Sequence, residues 1–169
     1  MIDAAAVVRP IESHPGVKIT AIASRELKSA QKGAKMFGIP NAYGSYEELL
    51  ADPEVDAIYI SVPNGMHAEW AIKCMKAGKH VLIEKPLCAN ADEAREIYKV
   101  AEQTNRVALE AFHWRFHPAA HVVKSYIDSE KYGKVLRTYS RMVTPKNSMP
   151  SWDIRWKWDL AGGATMDET

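Results

Sequence analysis

The chain has 169 residues, enough for one domain or for one domain with a piece of another. A hydrophobic fraction of 47% supports a globular core and excludes a disordered chain. With 22 Lys+Arg against 21 Asp+Glu, the net charge of +1 gives no sign of a nucleic-acid or membrane-surface partner. Cys74 and Cys88 form neither a disulfide framework nor a metal-ligand spacing, and free thiols suit a reducing, cytoplasmic compartment. No apolar run approaches the roughly 18 residues of a membrane span. The Met1–Ala6 start lacks the layout of a signal peptide.

In chain order, Ala4 to Ser13 reads as a short helix, and Val17 to Ala23 is a β-branched run long enough for a strand. Arg25 to Phe37 has helical composition and is stopped by Gly38 and Pro40. Ser45-Tyr46-Glu47-Glu48 is a capping box that starts a helix. Ala57 to Val62 is almost wholly apolar, as expected of a strand buried on both faces. Met66 to Ala77 reads as a helix closed by Gly78, and His80 to Glu84 as the next strand. Asn90 with Glu93 caps a helix running to about Gln103, Val107 to Ala111 is a further strand, and His117 to Ser129 is helical. Lys134 to Val143 alternates as a half-exposed strand does.

Strands separated by helices of this length predict βαβ units, a parallel sheet and right-handed crossovers. Periodicity alone leaves any flavodoxin-like α/β domain equally open, since one superfold hosts many functions. Three segments decide further. Ser61-Val62-Pro63-Asn64-Gly65-Met66-His67 follows one strand. Glu84-Lys85-Pro86 ends the next, and Glu110-Ala111-Phe112-His113-Trp114-Arg115-Phe116-His117-Pro118 the one after. All three stand at carboxyl ends of consecutive strands, where open parallel sheets bind ligands.

In their order and spacing these segments resemble the glucose–fructose oxidoreductase, inositol dehydrogenase and MocA family of NAD(P)-dependent oxidoreductases. Within it they resemble the branch holding dimeric dihydrodiol dehydrogenases and NADP-dependent xylose dehydrogenases. The tail Asp153-Ile154-Arg155, then Asp159 to Asp167, is similar to a turn that precedes the first long helix of that branch's substrate domain. The resemblance implies a Rossmann-type α/β domain over residues 1–117 and the start of a second α/β, substrate and dimerisation domain over 118–169. It also implies hydride transfer between NADP and a small carbohydrate-like substrate: a sugar, polyol or dihydrodiol. NAD remains possible, and the full-length form is expected to be a homo-oligomer with no nucleic-acid or membrane partner.

By the same resemblance Lys85 is the catalytic group that manages the substrate hydroxyl proton and binds the substrate oxygen. An ordinary surface lysine at a strand end is the plain alternative. The resemblance also implies a cis bond between Lys85 and Pro86. Ser24 and Arg25 follow the first strand, where an acidic residue would bind an adenosine 2′-hydroxyl; Ser and Arg suit a 2′-phosphate and favour NADP. Pro63, Asn64, His67 and Glu84 are expected to line the cofactor, although His67 can equally be a structural first-turn residue of its helix. Trp114 and Arg115 are expected at the nicotinamide end, or else as a surface cation–π pair. Arg155, Asp159 and Asp167 complete the substrate side, with Asp167 as a second catalytic group. Trp152, Trp156 and Trp158 are expected as pocket wall or core.

The chain departs from the family at two places. It contains no G-x-G-x-x-G, and no strand precedes Val17. The family's second catalytic tyrosine or histidine, about four residues beyond the aspartate on the same helix face, is also missing. The expectation is therefore an incomplete copy with a Rossmann-type sheet lacking its first strand. The strands at Val17 and Ala57 are left with unpaired inner edges, unless they pair with each other. Such a chain is expected neither to bind dinucleotide tightly nor to turn over, which makes a catalytically inactive fragment acting through a partner the competing function. A member that holds NADP as a structural or sensing ligand is a third.

Overall fold

The computed structural model describes residues 7–141, 143 and 150–163. Helix α1 (Val8–Glu12) is followed by strand β1 (Ala21–Ala23), α2 (Leu27–Phe37), β2 (Asn41–Tyr43) and α3 (Tyr46–Ala51). Strand β3 (Ala57–Ile60) leads into α4 (His67–Lys76), β4 (His80–Ile83), α5 (Ala91–Thr104), β5 (Ala108–Glu110) and α6 (Pro118–Asp128). Short 3-10 turns occupy Asn64–Met66, His113–Phe116, Ile154–Trp156 and Trp158–Leu160.

The helix ends follow from local chemistry. Ser45 Oγ accepts from the Glu48 N–H at 3.2 Å, and Glu48 returns the contact by accepting from the Gly44 N–H at 3.0 Å. Asn90 Oδ1 accepts from the N–H groups of Asp92 and Glu93 and so starts α5. Helix α2 ends at Gly38, whose φ of 65° is the left-handed conformation a helix C-terminus favours.

Every strand pair is parallel. Strand β4 lies between β3 and β5, with Ile60 opposite Ile83 and Ile83 opposite Glu110. Strands β1 and β2 form a separate ladder, Ala21 opposite Asn41 and Ala23 opposite Tyr43. Among the described residues β1 and β3 do not pair, so the inner edges expected to be left open are open. The two ladders are linked through α3, which packs on β1 and β2. Its Tyr46, Leu49 and Leu50, together with Ala21 of β1, pack against the core built on the larger sheet.

That core joins Ile58, Ile60, Val81 and Ile83 of the sheet to Ala71, Cys74 and Met75 of α4 and to Ile97 and Val100 of α5. Burial pushes the Cys74 thiol up to about 12. Burial in β3 alternates, with Ile58 and Ile60 inside, Tyr59 half-buried and Ala57 exposed. The strand is thus covered on one face, not on both as its apolar composition suggested.

Two other expectations are corrected. The strand expected over Val17–Ala23 is confined to Ala21–Ala23, the residues in register with β2, and contact with β2 begins at the Thr20 carbonyl, which accepts from the Asn41 N–H. The strand expected over Lys134–Val143 is absent at its described positions, which are exposed and carry no regular structure. An alternating pattern yields a strand only where a neighbour accepts its hydrogen bonds, and no described segment does so there. Strand β2 was not anticipated at all.

Ile83, fully buried at the centre of the larger sheet, sets a test of this packing. Ile83→Ala should lower the unfolding free energy by about 2–5 kcal/mol. Met36→Ala, on the exposed face of α2, should change it by less than about 0.5 kcal/mol. Urea unfolding followed by circular dichroism distinguishes these outcomes. A maleimide at pH 8 should modify Cys74 only as the chain unfolds.

Candidate active site at the carboxyl ends of the larger sheet

Because β3, β4 and β5 run parallel, the turns that leave them lie along one edge. The ladder continues to the brink of that edge: the Glu84 N–H donates to the Ile60 carbonyl at 2.9 Å, and the Ala111 N–H to the Ile83 carbonyl at 2.7 Å. Beyond those bonds the chain leaves the sheet, and side chains take over.

The turn after β4 carries Lys85, and its Lys85–Pro86 bond is cis. Glu84 accepts from the Tyr59 hydroxyl of β3 through one carboxylate oxygen. Through the other it accepts from the Lys85 backbone N–H at 3.0 Å. The Leu87 N–H donates to Glu110 Oε1 at 2.8 Å, a carboxylate at the end of β5. The Pro86 carbonyl lies 2.7 Å from Nδ1 of His67, whose Nε2 lies 2.8 Å from the Val62 carbonyl. Side chains from β3, α4 and β5 therefore define the backbone on either side of Lys85. Lys85 itself is half-buried and makes polar contact within the chain.

The turn after β3 is closed from the other end of the sequence. Asn64 Nδ2 donates to the Ala161 carbonyl at 3.3 Å. A Cβ on Gly65 would stand 3.2 Å from the Leu160 carbonyl carbon, so this contact depends on glycine. Gly162 is more constrained: a Cβ there would lie 2.5 Å from the Arg155 carbonyl oxygen. The Gly162 and Gly163 N–H groups donate to the Lys157 and Arg155 carbonyls, folding 155–163 into a double turn against the Asn64–Met66 turn.

The remaining sequence-derived residues are placed as follows. Pro63 is half-buried at the head of the β3 turn. Ser24 is half-buried at the carboxyl end of β1, where its N–H donates to the Tyr43 carbonyl at 3.2 Å; Arg25 beside it is exposed. His67 is fully buried and its ring nitrogens face backbone carbonyls. Trp114 is exposed and stacks on His117 with ring centroids 5.1 Å apart; Arg115 is exposed in the same turn. Arg155 is engaged with Asp153, whose carboxyl is held below the usual range by the Arg155 backbone N–H and then by the guanidinium charge. Asp159 is exposed, and Asp167 lies outside the described residues. Trp152, Trp156 and Trp158 are exposed and wall no core among the described residues.

Glu110, Tyr59 and Gly65 escaped the sequence reading as site-forming residues. The available signal was a carboxylate at the end of each of two adjacent apolar strands, Glu84 and Glu110. Such groups remain half-buried only where donors meet them.

Comparison with known proteins then decides the family. A model described as oxidoreductase family, NAD-binding Rossmann fold, of the Gfo/Idh/MocA group, matches residues 2–112. The chain belongs to this family. It is 44% identical over 149 residues to the D-xylose 1-dehydrogenase (NADP(+)) 2 of Haloferax volcanii, covering 87% of this chain and 45% of that protein. It is 35% identical to the trans-1,2-dihydrobenzene-1,2-diol dehydrogenase of Xenopus laevis, covering 89% of this chain and 44% of that one. A variant of a 3-ketoreductase from Actinomadura kijaniata, solved with TDP-benzene and NADP, superposes with a TM-score of 0.83 at 33% identity. That match covers 98% of this chain and 50% of the ketoreductase. The family, its branch and the Rossmann-like parallel α/β architecture thus agree with the motif reading. The chain spans about half the length of the curated relatives it matches.

The residues present fit the two ends of a nicotinamide dinucleotide better than its middle. The Lys85 and Asn64 turns stand where a parallel sheet takes ligand, and Ser24 and Arg25 stand at the same end of β1. No glycine-rich turn for the pyrophosphate occurs in the 169 residues, and among those described β1 and β3 do not pair. No described helix is long and apolar enough to cross a membrane.

The Glu110 contact can be tested by itself. Glu110→Ala leaves the half-buried Leu87 N–H without its acceptor and should cost about 1–3 kcal/mol. Glu110→Gln keeps an acceptor oxygen and should cost less. Thermal unfolding of both variants, with amide exchange read at Leu87, measures the difference.

Proposed function

We propose that this chain forms the cofactor-binding part of an NADP-dependent oxidoreductase that moves hydride between nicotinamide and a sugar, polyol or dihydrodiol. The observation that carries this reading is the fixed backbone of Lys85, held through Glu84, Glu110 and His67 among the turns after β3, β4 and β5. The hydride is the cofactor's contribution. The part left to the protein is to hold the substrate oxygen and manage its proton, which Lys85 does as acid or base. Asp167 is the second catalytic group, and Arg155 and Asp159 face the substrate.

Pro63, Asn64, His67, Glu84, Trp114 and Arg115 make up the nicotinamide side, some through the backbone they hold. Ser24 and Arg25 receive the adenosine 2′-phosphate, because Arg offers a charged fork to phosphate oxygens. The relatives' printed activities, on D-xylose and on a dihydrobenzenediol, support a hydroxyl-bearing substrate class. Residues 1–117 form the dinucleotide-binding unit, and 118–169 begin a substrate and dimerisation unit of a cytoplasmic homo-oligomer.

A specific observation favours a second reading, a catalytically inactive chain acting through a partner. The open edges of β1 and β3 lie where the Rossmann order places its first strand, and the pyrophosphate turn follows that strand. Titration of the 169-residue chain with NADPH by fluorescence separates the readings. Micromolar affinity with Lys85-dependent turnover of xylose or a dihydrodiol supports the enzyme; binding weaker than about 1 mM and no turnover support the inactive chain.

Cofactor choice rests on Arg25. Arg25→Ala should weaken NADPH roughly tenfold and leave NADH unchanged, because a charge-assisted phosphate contact is worth about 1.5–3 kcal/mol. Equal weakening of both cofactors overturns the 2′-phosphate assignment.

Lys85→Ala should lower turnover at least about 100-fold while NADPH affinity changes little. Unchanged turnover would move the proton role elsewhere. Binding and biological function that persist without Lys85 point to NADP as a structural or sensing ligand.

A further inference from the structure

His67 opens α4 and is completely inaccessible to solvent. A histidine buried in a core ordinarily donates through one ring nitrogen and accepts through the other. Here both nitrogens face oxygens that only accept. Nδ1 stands 2.7 Å from the Pro86 carbonyl and Nε2 stands 2.8 Å from the Val62 carbonyl. The ring therefore stands between the two carbonyls, with a nitrogen within hydrogen-bond distance of each.

The two carbonyls belong to different turns. Val62 begins the turn that carries Pro63 and Asn64, and Pro86 follows Lys85 directly. Resting on the reading of this edge as the nicotinamide site, we propose that His67 is a positioning residue whose ring, standing between the Val62 and Pro86 carbonyls, sets the Asn64 turn at a fixed distance from the Lys85 turn. It touches neither cofactor nor substrate. It acts by removing the freedom of the two backbone segments to move apart, and a 1 Å loss of register between reacting groups is enough to slow a reaction strongly.

The link between the turns is read by amide exchange in the cofactor-free chain. His67→Phe keeps a ring and removes both ring nitrogens. Exchange should accelerate at least tenfold at Met66, Lys85 and Leu87 and stay unchanged at Val81 and Ile83 in the sheet. His67→Gln, which retains a donor, should recover part of the protection. Unchanged exchange in the turns, or equal acceleration throughout the sheet, shows a packing residue only and overturns the proposal.

Ligand binding separates this proposal from the site reading. His67→Phe should weaken NADPH and leave adenosine 2′,5′-bisphosphate, which carries only the adenosine end, unaffected. Equal weakening of both overturns the positioning role. If NADPH binds no tighter than the bisphosphate to the unsubstituted chain, the nicotinamide reading fails. The exchange results then decide the link between the turns by themselves.

Discussion

The candidate site depends on the cost of leaving backbone polar groups unsatisfied where the sheet ends. Within β3–β4–β5 the central strand β4 is paired along both sides, but the turns beyond have no ladder. An unpaired buried polar group costs about 1–3 kcal/mol, so a half-buried turn needs side chains to receive its donors and acceptors. Glu84, Glu110 and His67 meet that need for Lys85–Leu87. The same contacts that keep the turn folded also fix the backbone of Lys85, so stability and the placement of that residue have one physical origin. Substitution of a supporting residue therefore affects both, and the two effects separate only when binding and exchange are measured together.

The division of the strands into two ladders bears on the middle of the site. A Rossmann sheet approaches the pyrophosphate of its cofactor from the turn after the strand between β1 and β3. Here those strands present open inner edges among the described residues, and the link runs through α3 and apolar contact instead. Apolar packing is non-directional, whereas a ladder fixes register residue by residue. Ser24 and Arg25, at the end of β1, are linked to Lys85 through apolar packing, whereas Asn64 and Lys85 follow strands of one ladder. On the proposed reading a dinucleotide engages both ends at once, and the apolar link bears on its affinity.

Much of this was legible in the sequence. The capping residues Ser45 and Asn90, the stop at Gly38 and the runs at Ala57, His80 and Val107 each carry a local signal, and local signals survive folding. Strand β2 carries none: Asn41-Ala42-Tyr43 is three residues long and exists because β1 lies beside it. Lys134–Val143 fails for the converse reason, an alternating pattern without a described neighbour. The site divides in the same way. Lys85 and Asn64 stand in motifs, so the sequence singled them out. The engagement of Glu110 with the Leu87 N–H, and of both His67 nitrogens with carbonyls, exists only once three strands are in register.

The segment after Pro118 obeys a different rule. Leu136 is 96% exposed and Trp158 83%, and helix α6 buries none of its residues. Among the described residues of this part, little apolar surface is buried. Their attachment includes a close approach of backbones, Gly65 against Leu160, and a hydrogen bond from Asn64 to Ala161. Such a bond contributes only about 0.5–1.5 kcal/mol. Its location gives it weight, because Asn64 belongs to the turn that His67 ties to Lys85. Asn64 thereby links the 155–163 double turn to the turn after β3. A side chain at position 162 would run into the Arg155 and Lys157 carbonyls, whereas one at position 65 would require Leu160 to give by a few tenths of an ångström.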